Sequence, residues 1–241
     1  FQADDGIRAS VASRGRGDVY KRQPSSNSQR QQLQLPVRRA ADDVAPVLRE
    51  QHLQDAVVVH ADLAQQLPAR RVEDQGFSGM LYTETGQVPW MQIAAAAMAA
   101  PSLTFTTGIA VAFPRSPMVS AQVAWELAGE TNGKFRLGLG SQVKGHVVRR
   151  YSAEFDRPAR RLLDYVLAVK ACLRAFRGEE RLSHEGEFYN LSLLPDAWKP
   201  RSHDFGDIKI DISSVGPLMN RVAGQVADGV HVHPMHSMHY I

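Results

Sequence analysis

A parallel α/β barrel is the fold class this sequence predicts, on three observations. Leu103–Val111 and Phe135–Leu139 are nearly continuous apolar runs, the pattern of strands buried on both faces. Both lead into small residues, Ala110-Val111-Ala112 and Gly138-Leu139-Gly140-Ser141, which let a ligand approach the backbone. Between them Ser116-Pro117 opens a helix with a capping hydroxyl and a proline at the first helical position, so strand and helix alternate. In such a barrel ligands sit at the C-terminal ends of the strands.

The elements follow in order. Ala56–His60 reads as the first strand, and a helix over Leu63–Gln75 is closed by Gly76. Gly79–Thr83 is the second strand. The next helix begins at Pro89, runs through an alanine tract and stops at Pro101. Leu103–Val111 is the third strand. The helix from Ser116 to Asn132-Gly133 repeats Val119, Val123 and Leu127 at every fourth position, which predicts its buried face. Phe135–Leu139 is the fourth strand, 140–157 a long polar stretch, and Pro158–Phe176 a helix ended by Gly178. Residues 178–206 are an excursion rich in Pro, Gly and charge. Ile208–Ile212, Pro217–Asp228 and Gly229–His233 close the series as strand, helix and strand.

These six strands fall short of the eight that close such a barrel. At ~30 residues per βα unit, at least ~60 further residues are expected, so the chain reads as a carboxy-truncated domain over 51–241. Residues 1–50 read as a non-native or disordered extension: 25–34 are Gln- and Ser-rich without period, and Val11–Gln23 resembles linker sequence.

Composition excludes several classes. An apolar content of 44% supports a packed core, and no apolar run approaches the ~20 residues that span a bilayer. Cys172 is the single cysteine, which excludes an intramolecular disulfide and points to a reducing cytoplasm. The net charge of +3 arises largely in the Arg-rich amino end, so no nucleic-acid partner is expected. The expected partners are a small-molecule substrate and, through exposed sheet edges, further copies of the chain.

Gly76–Glu84, Thr107–Pro117, Phe135–Ser141, Gly186-Glu187-Phe188-Tyr189, Ser214-Val215-Gly216-Pro217 and Ala227–Pro234 together resemble the bacterial-luciferase-like superfamily. The resemblance is to its branch of F420-dependent oxidoreductases. It implies a (β/α)8 TIM barrel of bacterial-luciferase type, incomplete here. It implies coenzyme F420, with FMN as the alternative, bound across the mouth, and hydride transfer to or from a small organic substrate. The alternatives are an FMN-dependent luciferase-like monooxygenase and an inactive cofactor-binding fragment. The resemblance also implies a non-prolyl cis peptide after strand three, at Ala110–Val111 give or take one residue.

The candidate cofactor-binding residues are Ala110, Val111, Gly138, Gly140, Ser141, Ser213, Ser214, Val215 and Gly216. The last four precede Pro217, and a helix N-terminus with free N–H groups suits the cofactor phosphate. Glu84 and His146 are the catalytic candidates. Glu84 reads as a group that orients substrate or shuttles a proton, or as an exposed loop carboxylate. His146 reads as a proton donor or phosphate contact, or as a surface histidine beside Arg149 and Arg150. Trp90 either walls the pocket or packs under its helix. No metal is expected: His231, His233, His236 and His239 are spaced like ligands, but no carboxylate partners stand nearby. The Gly-x-Ser-x-Gly elbow and the Gly-x-Gly-x-x-Gly fingerprint are absent.

Overall fold

The computed structural model describes residues 68–233. The expected first strand, the extension over 1–50, and His236 and His239 lie outside them. The described chain begins with α1 (68–74), which ends in a Schellman turn. Gly76 takes φ +80°, its N–H donates to the Glu73 carbonyl at 2.9 Å, and Phe77 N–H donates to Val72 at 3.2 Å. The elements that follow are β1 (Gly79–Tyr82), α2 (Pro89–Ala99), β2 (Thr104–Thr107), β3 (Ala110–Val111), α3 (Pro117–Glu130) and β4 (Phe135–Gly140). Then come α4 (Lys144–Arg149), α5 (Pro158–Phe176), β5 (His184–Glu185), β6 (Asn190–Leu191), β7 (Lys209–Ser213), α6 (Pro217–Val226) and β8 (Gly229–His231).

The main sheet has the order β1-β2-β4-β7-β8, every neighbouring pair parallel, with β3 also paired to β4. Because side chains alternate, Leu137 and Leu139 of β4 and Ile210 and Ile212 of β7 face the helices and are fully buried. Arg136, Gly138 and Gly140, with Asp211 and Ser213, fall on the opposite, inner face.

α5 is bounded as the sequence predicts. Leu162, Tyr165, Val166, Val169, Cys172, Leu173 and Phe176 recur at helical spacing and are buried. α3 is capped as expected, the Ser116 hydroxyl accepting from Met118 N–H at 3.2 Å, and Asn132 and Gly133 turn left-handed beyond it. Its buried face agrees with the predicted one only in part: Leu127 is buried and Val123 packs against the core. Ala121, Ala124, Trp125 and Ala128 face inward, whereas Val119 is exposed. A Trp ring and three alanines let α3 sit close to its neighbours, and this face leaves Val119 outside.

Two segments read without regular elements contain them. Lys144–Arg149 is a short helix within the polar stretch, too brief to show a period. The excursion carries the antiparallel pair β5–β6 and a 3₁₀ turn at Asp196–Trp198. The hairpin is pinned to α5 by Asp164, a buried carboxylate that accepts from Phe188 N–H (2.6 Å) and Tyr189 N–H (3.0 Å) and bonds His184 Nε2 (2.7 Å). The third predicted strand is split. β2 ends at Thr107, a cis peptide joins Gly108 to Ile109, and β3 resumes at Ala110.

Burial pushes the Cys172 thiol up to about 12. At pH 8 a thiol reagent should therefore react with native protein far more slowly than with the unfolded chain, because the thiolate is the nucleophile. An unfolded thiol ionises near 9.0 while the folded one keeps its proton, so this group lowers stability as pH rises above that value. Reaction at the unfolded rate in native buffer would contradict the burial.

Candidate functional site

The C-terminal ends of the parallel strands bring most of the candidate residues together. The β3–β4 register sets Ala110 beside Leu139 and Val111 beside Gly140. The β4–β7 register sets Gly138 beside Asp211, so Gly140 and Ser213 lie one pleat further along the same face. A Cβ added at Gly140 would meet the Ile109 side chain at 2.8 Å and the Ser213 hydroxyl at 3.4 Å. One at Gly138 would lie 1.8 Å from the Thr107 carbonyl oxygen and 2.7 Å from His231 Nε2. The glycines are required by close approach, not by turn geometry.

Where the β2–β4 ladder gives out, Thr107 replaces it. Its buried hydroxyl donates to the Gly138 carbonyl at 2.7 Å and accepts from Gly138 N–H at 2.9 Å. The cis peptide lies at Gly108–Ile109, just outside the expected window at Ala110–Val111. Gly108 is the only mark in the run, and a glycine within a strand fits a bulge or close approach as well as a break, so the position could not be read more finely.

Glu84 is not an exposed loop carboxylate: it is buried. Its Oε2 accepts from Val111 N–H (2.8 Å) and Arg115 Nη1 (2.8 Å). Its Oε1 accepts from Arg115 Nη2 (2.6 Å) and the Tyr151 hydroxyl (3.2 Å). Arg115 Nη1 also donates to the Val111 carbonyl at 2.8 Å, and the guanidinium lies over the Trp90 ring, 5.7 Å from its centroid. Trp90 thus packs under this cluster and against the core. Desolvation and the neighbouring Glu84 carboxylate raise the Tyr151 phenol above its ordinary range, so it remains a hydrogen-bond donor.

Ser213 and Ser214 have different surroundings. Among the described residues no hydrogen bond engages the Ser213 hydroxyl, whereas the buried Ser214 hydroxyl donates to Asn220 Oδ1 on α6. Ser214 N–H donates to the His231 carbonyl at 3.4 Å. Gly216 has open space in front of its Cα and stands as the N-cap of α6, ahead of Pro217. Ser141 is half-buried at the end of β4. His146 is exposed on α4, and its backbone carbonyl accepts from Tyr151 N–H at 3.1 Å.

Arg115, Tyr151 and Thr107 escaped the sequence reading. Arg115 had one visible signal: a lone cation four residues after an apolar strand end, where it needs a carboxylate partner. His231 also belongs to the inner face, its Nε2 buried and 3.7 Å from Asp211 Oδ2, while Arg136 grips Asp211 with two hydrogen bonds. Among the described residues no group of three or more His, Cys, Asp or Glu is disposed to hold a metal, and no helix is long and apolar enough to cross a membrane.

A parallel sheet with helices on one face and a cluster of small residues at its strand ends is the architecture of an α/β barrel, part of which the described residues form. The luciferase-like monooxygenase profile matches residues 50–240, and the chain belongs to that family. An uncharacterized protein of Mycobacterium tuberculosis is 35% identical over 170 residues, which cover 70% of this chain and 50% of that protein. Among solved structures, the coenzyme F420-dependent tetrahydromethanopterin reductase of Methanopyrus kandleri superposes with a TM-score of 0.58 at 18% identity. It shares 71% of this chain and 52% of its own. The oxygenating constituent of 3,6-diketocamphane monooxygenase from Pseudomonas putida, in complex with FMN, gives 0.56 at 16% identity, over 76% of this chain and 55% of its own. Over the matched parts these two neighbours have the same fold as this chain. The chain spans about half the length of the relatives it matches.

Proposed function

We propose that the strand-end cleft holds a flat, tricyclic redox cofactor, and that the enzyme passes a hydride between it and a small organic alcohol, aldehyde or enone. Coenzyme F420 is the first reading. FMN is the second, favoured by the fold shared with an FMN-bound monooxygenase. The supporting observation is the convergence of Val111, Gly138, Gly140 and Ser213 on one stretch of the inner sheet face, with Ala110 beside Leu139 on the helix-facing side behind them.

The residues fit such a group. Gly138 and Gly140 let Thr107, Ile109 and His231 pack directly onto the strand, and a planar ring would lie over that packed layer. The unengaged Ser213 hydroxyl and the open approach at Gly216 suit a phosphate at the first turn of α6, where N–H groups point outward. Val215 lies in the same approach. Ser214 acts indirectly, tying that approach to α6 through Asn220. When bound, the cofactor supplies the hydride chemistry, and the chain supplies placement and exclusion of water. Val111 forms a wall beside this layer, and Ser141 closes the end of β4. His146, with Lys144 and Arg149 on the same exposed helix, is a rim contact for an anionic part of the ligand. Function as a cytoplasmic homo-oligomer completes the reading.

Titration of F420 and of FMN into the chain, followed by fluorescence, tests this. Saturable binding of one cofactor is expected, with affinity at least about tenfold weaker in Gly140→Val, equivalent to ~1.4 kcal/mol. A folded chain that binds neither cofactor overturns it.

A further inference from the structure

Glu84, Arg115 and Tyr151 come from three different strand-end loops, after β1, β3 and β4, and meet at one residue of the cleft wall. We propose that Arg115 and Tyr151 are positioning residues that, through Glu84, lock Val111 in place; this rests on the cofactor reading above.

Val111 is gripped at both of its backbone groups. Its N–H donates to Glu84 and its carbonyl accepts from Arg115, while Arg115 and Glu84 are joined by a two-pronged ion pair. Such a fork fixes orientation as well as distance. Val111 also pairs with Gly140 of the cleft floor, so the grip sets the separation of wall and floor. The loop after β4 enters twice: the Tyr151 hydroxyl reaches Glu84, and Arg150 Nη2 donates to the Thr85 carbonyl. Arg150 stacks on the Tyr151 ring, 5.0 Å from its centroid, which holds the phenol in line.

This geometry assigns Glu84 a different part from proton transfer. Four donors approach its two oxygens, and they occupy the directions a substrate proton would need. The charged and titratable groups facing it are Arg115 and Tyr151. A lysine at position 115 keeps the charge but cannot reach Glu84 and the Val111 carbonyl with a planar fork.

The test compares the full chain with Arg115→Lys, Glu84→Gln and Tyr151→Phe. Three readouts are taken: FMN and F420 affinity between pH 6 and 8, the visible spectrum of the bound cofactor, and hydrogen exchange of the Val111 amide without cofactor. The lock predicts loss of Val111 protection in Arg115→Lys and Glu84→Gln. It also predicts affinity weaker by about tenfold with an altered spectrum in both, and a smaller loss, about threefold, in Tyr151→Phe. Any variation of affinity with pH in the unaltered chain should persist in Glu84→Gln. Protection and spectrum unchanged in Arg115→Lys would overturn the lock. So would an affinity in the unaltered chain that varies with pH and becomes flat in Glu84→Gln, which would mark Glu84 as a proton carrier. If the unaltered chain binds neither cofactor, the cofactor reading fails separately and Val111 exchange alone decides: lost protection in the variants sustains the lock, and equal protection overturns it.

Discussion

Alanine at position 138 is expected to lower the melting temperature by roughly 10 °C, corresponding to a loss of about 3 kcal/mol, and to abolish cofactor binding. The added methyl would lie 1.8 Å from the Thr107 carbonyl oxygen and 3.0 Å from its carbon. Both are backbone atoms of the neighbouring strand, so no side-chain rotation relieves the contact. β4 would have to move away from β2, and the Thr107 hydroxyl would then lose its bonds to the Gly138 carbonyl and N–H. An unsatisfied buried peptide group costs about 1–3 kcal/mol in addition. Thermal unfolding followed by circular dichroism measures the effect, and a melting temperature within about 2 °C of the unaltered chain would contradict the packing described.

The second large effect is expected at Asp164. Its carboxylate serves two peptide N–H groups and the His184 ring, so Asp164→Ala strands three buried donors or acceptors and should cost about 3–5 kcal/mol. The loss should be local first, because β5 and β6 pair over only two residues each and the remaining contacts are side-chain packing of Tyr189 and Leu191 and cation contacts at Glu187 and Phe188. Gly186 is part of the same lock, since a Cβ there would overlap Asp164 Oδ1 at 1.8 Å. The consequence extends toward the cleft. Phe188 at the hairpin tip lies under Arg157 and Arg161, at 4.9 and 4.8 Å from its ring centroid, and Arg161 also covers Phe113, just beyond β3. Limited proteolysis should cut Asp164→Ala between residues 184 and 191 under conditions that leave the unaltered chain intact. Cleavage elsewhere, with the hairpin still resistant, would show that other contacts hold it.

Much of the architecture is legible along the chain because the decisive signals are local. The boundaries of α5 follow from Pro158, a helical row of apolar residues and Gly178. β4 follows from an apolar run between Gly133 and Ser141, and the start of α3 from Ser116-Pro117. What escaped the reading depends on residues far apart in sequence. Gly108 is the one mark of the break between β2 and β3, and a glycine within a strand fits a bend, a bulge or a close approach alike. Glu84 could be singled out, but its part depends on Arg115 and Tyr151, 31 and 67 positions away. Thr107 reads as a β-branched strand residue, and only its pairing with Gly138 shows that it completes the ladder. Val119 misled in the opposite sense: it begins a regular row whose later members, Val123 and Leu127, do pack inward, while Trp125 and the small alanines provide the rest of the buried face.

The crystal structure of the chain with bound F420 or FMN tests the central claim most directly. The account predicts the ring against Gly138 and Gly140 with Val111 as its wall, and the phosphate between Ser213 and Gly216. A cofactor bound instead in the cavity of about 680 Å³ between the end of α5 and residues 192–199, with the strand ends empty, would contradict it.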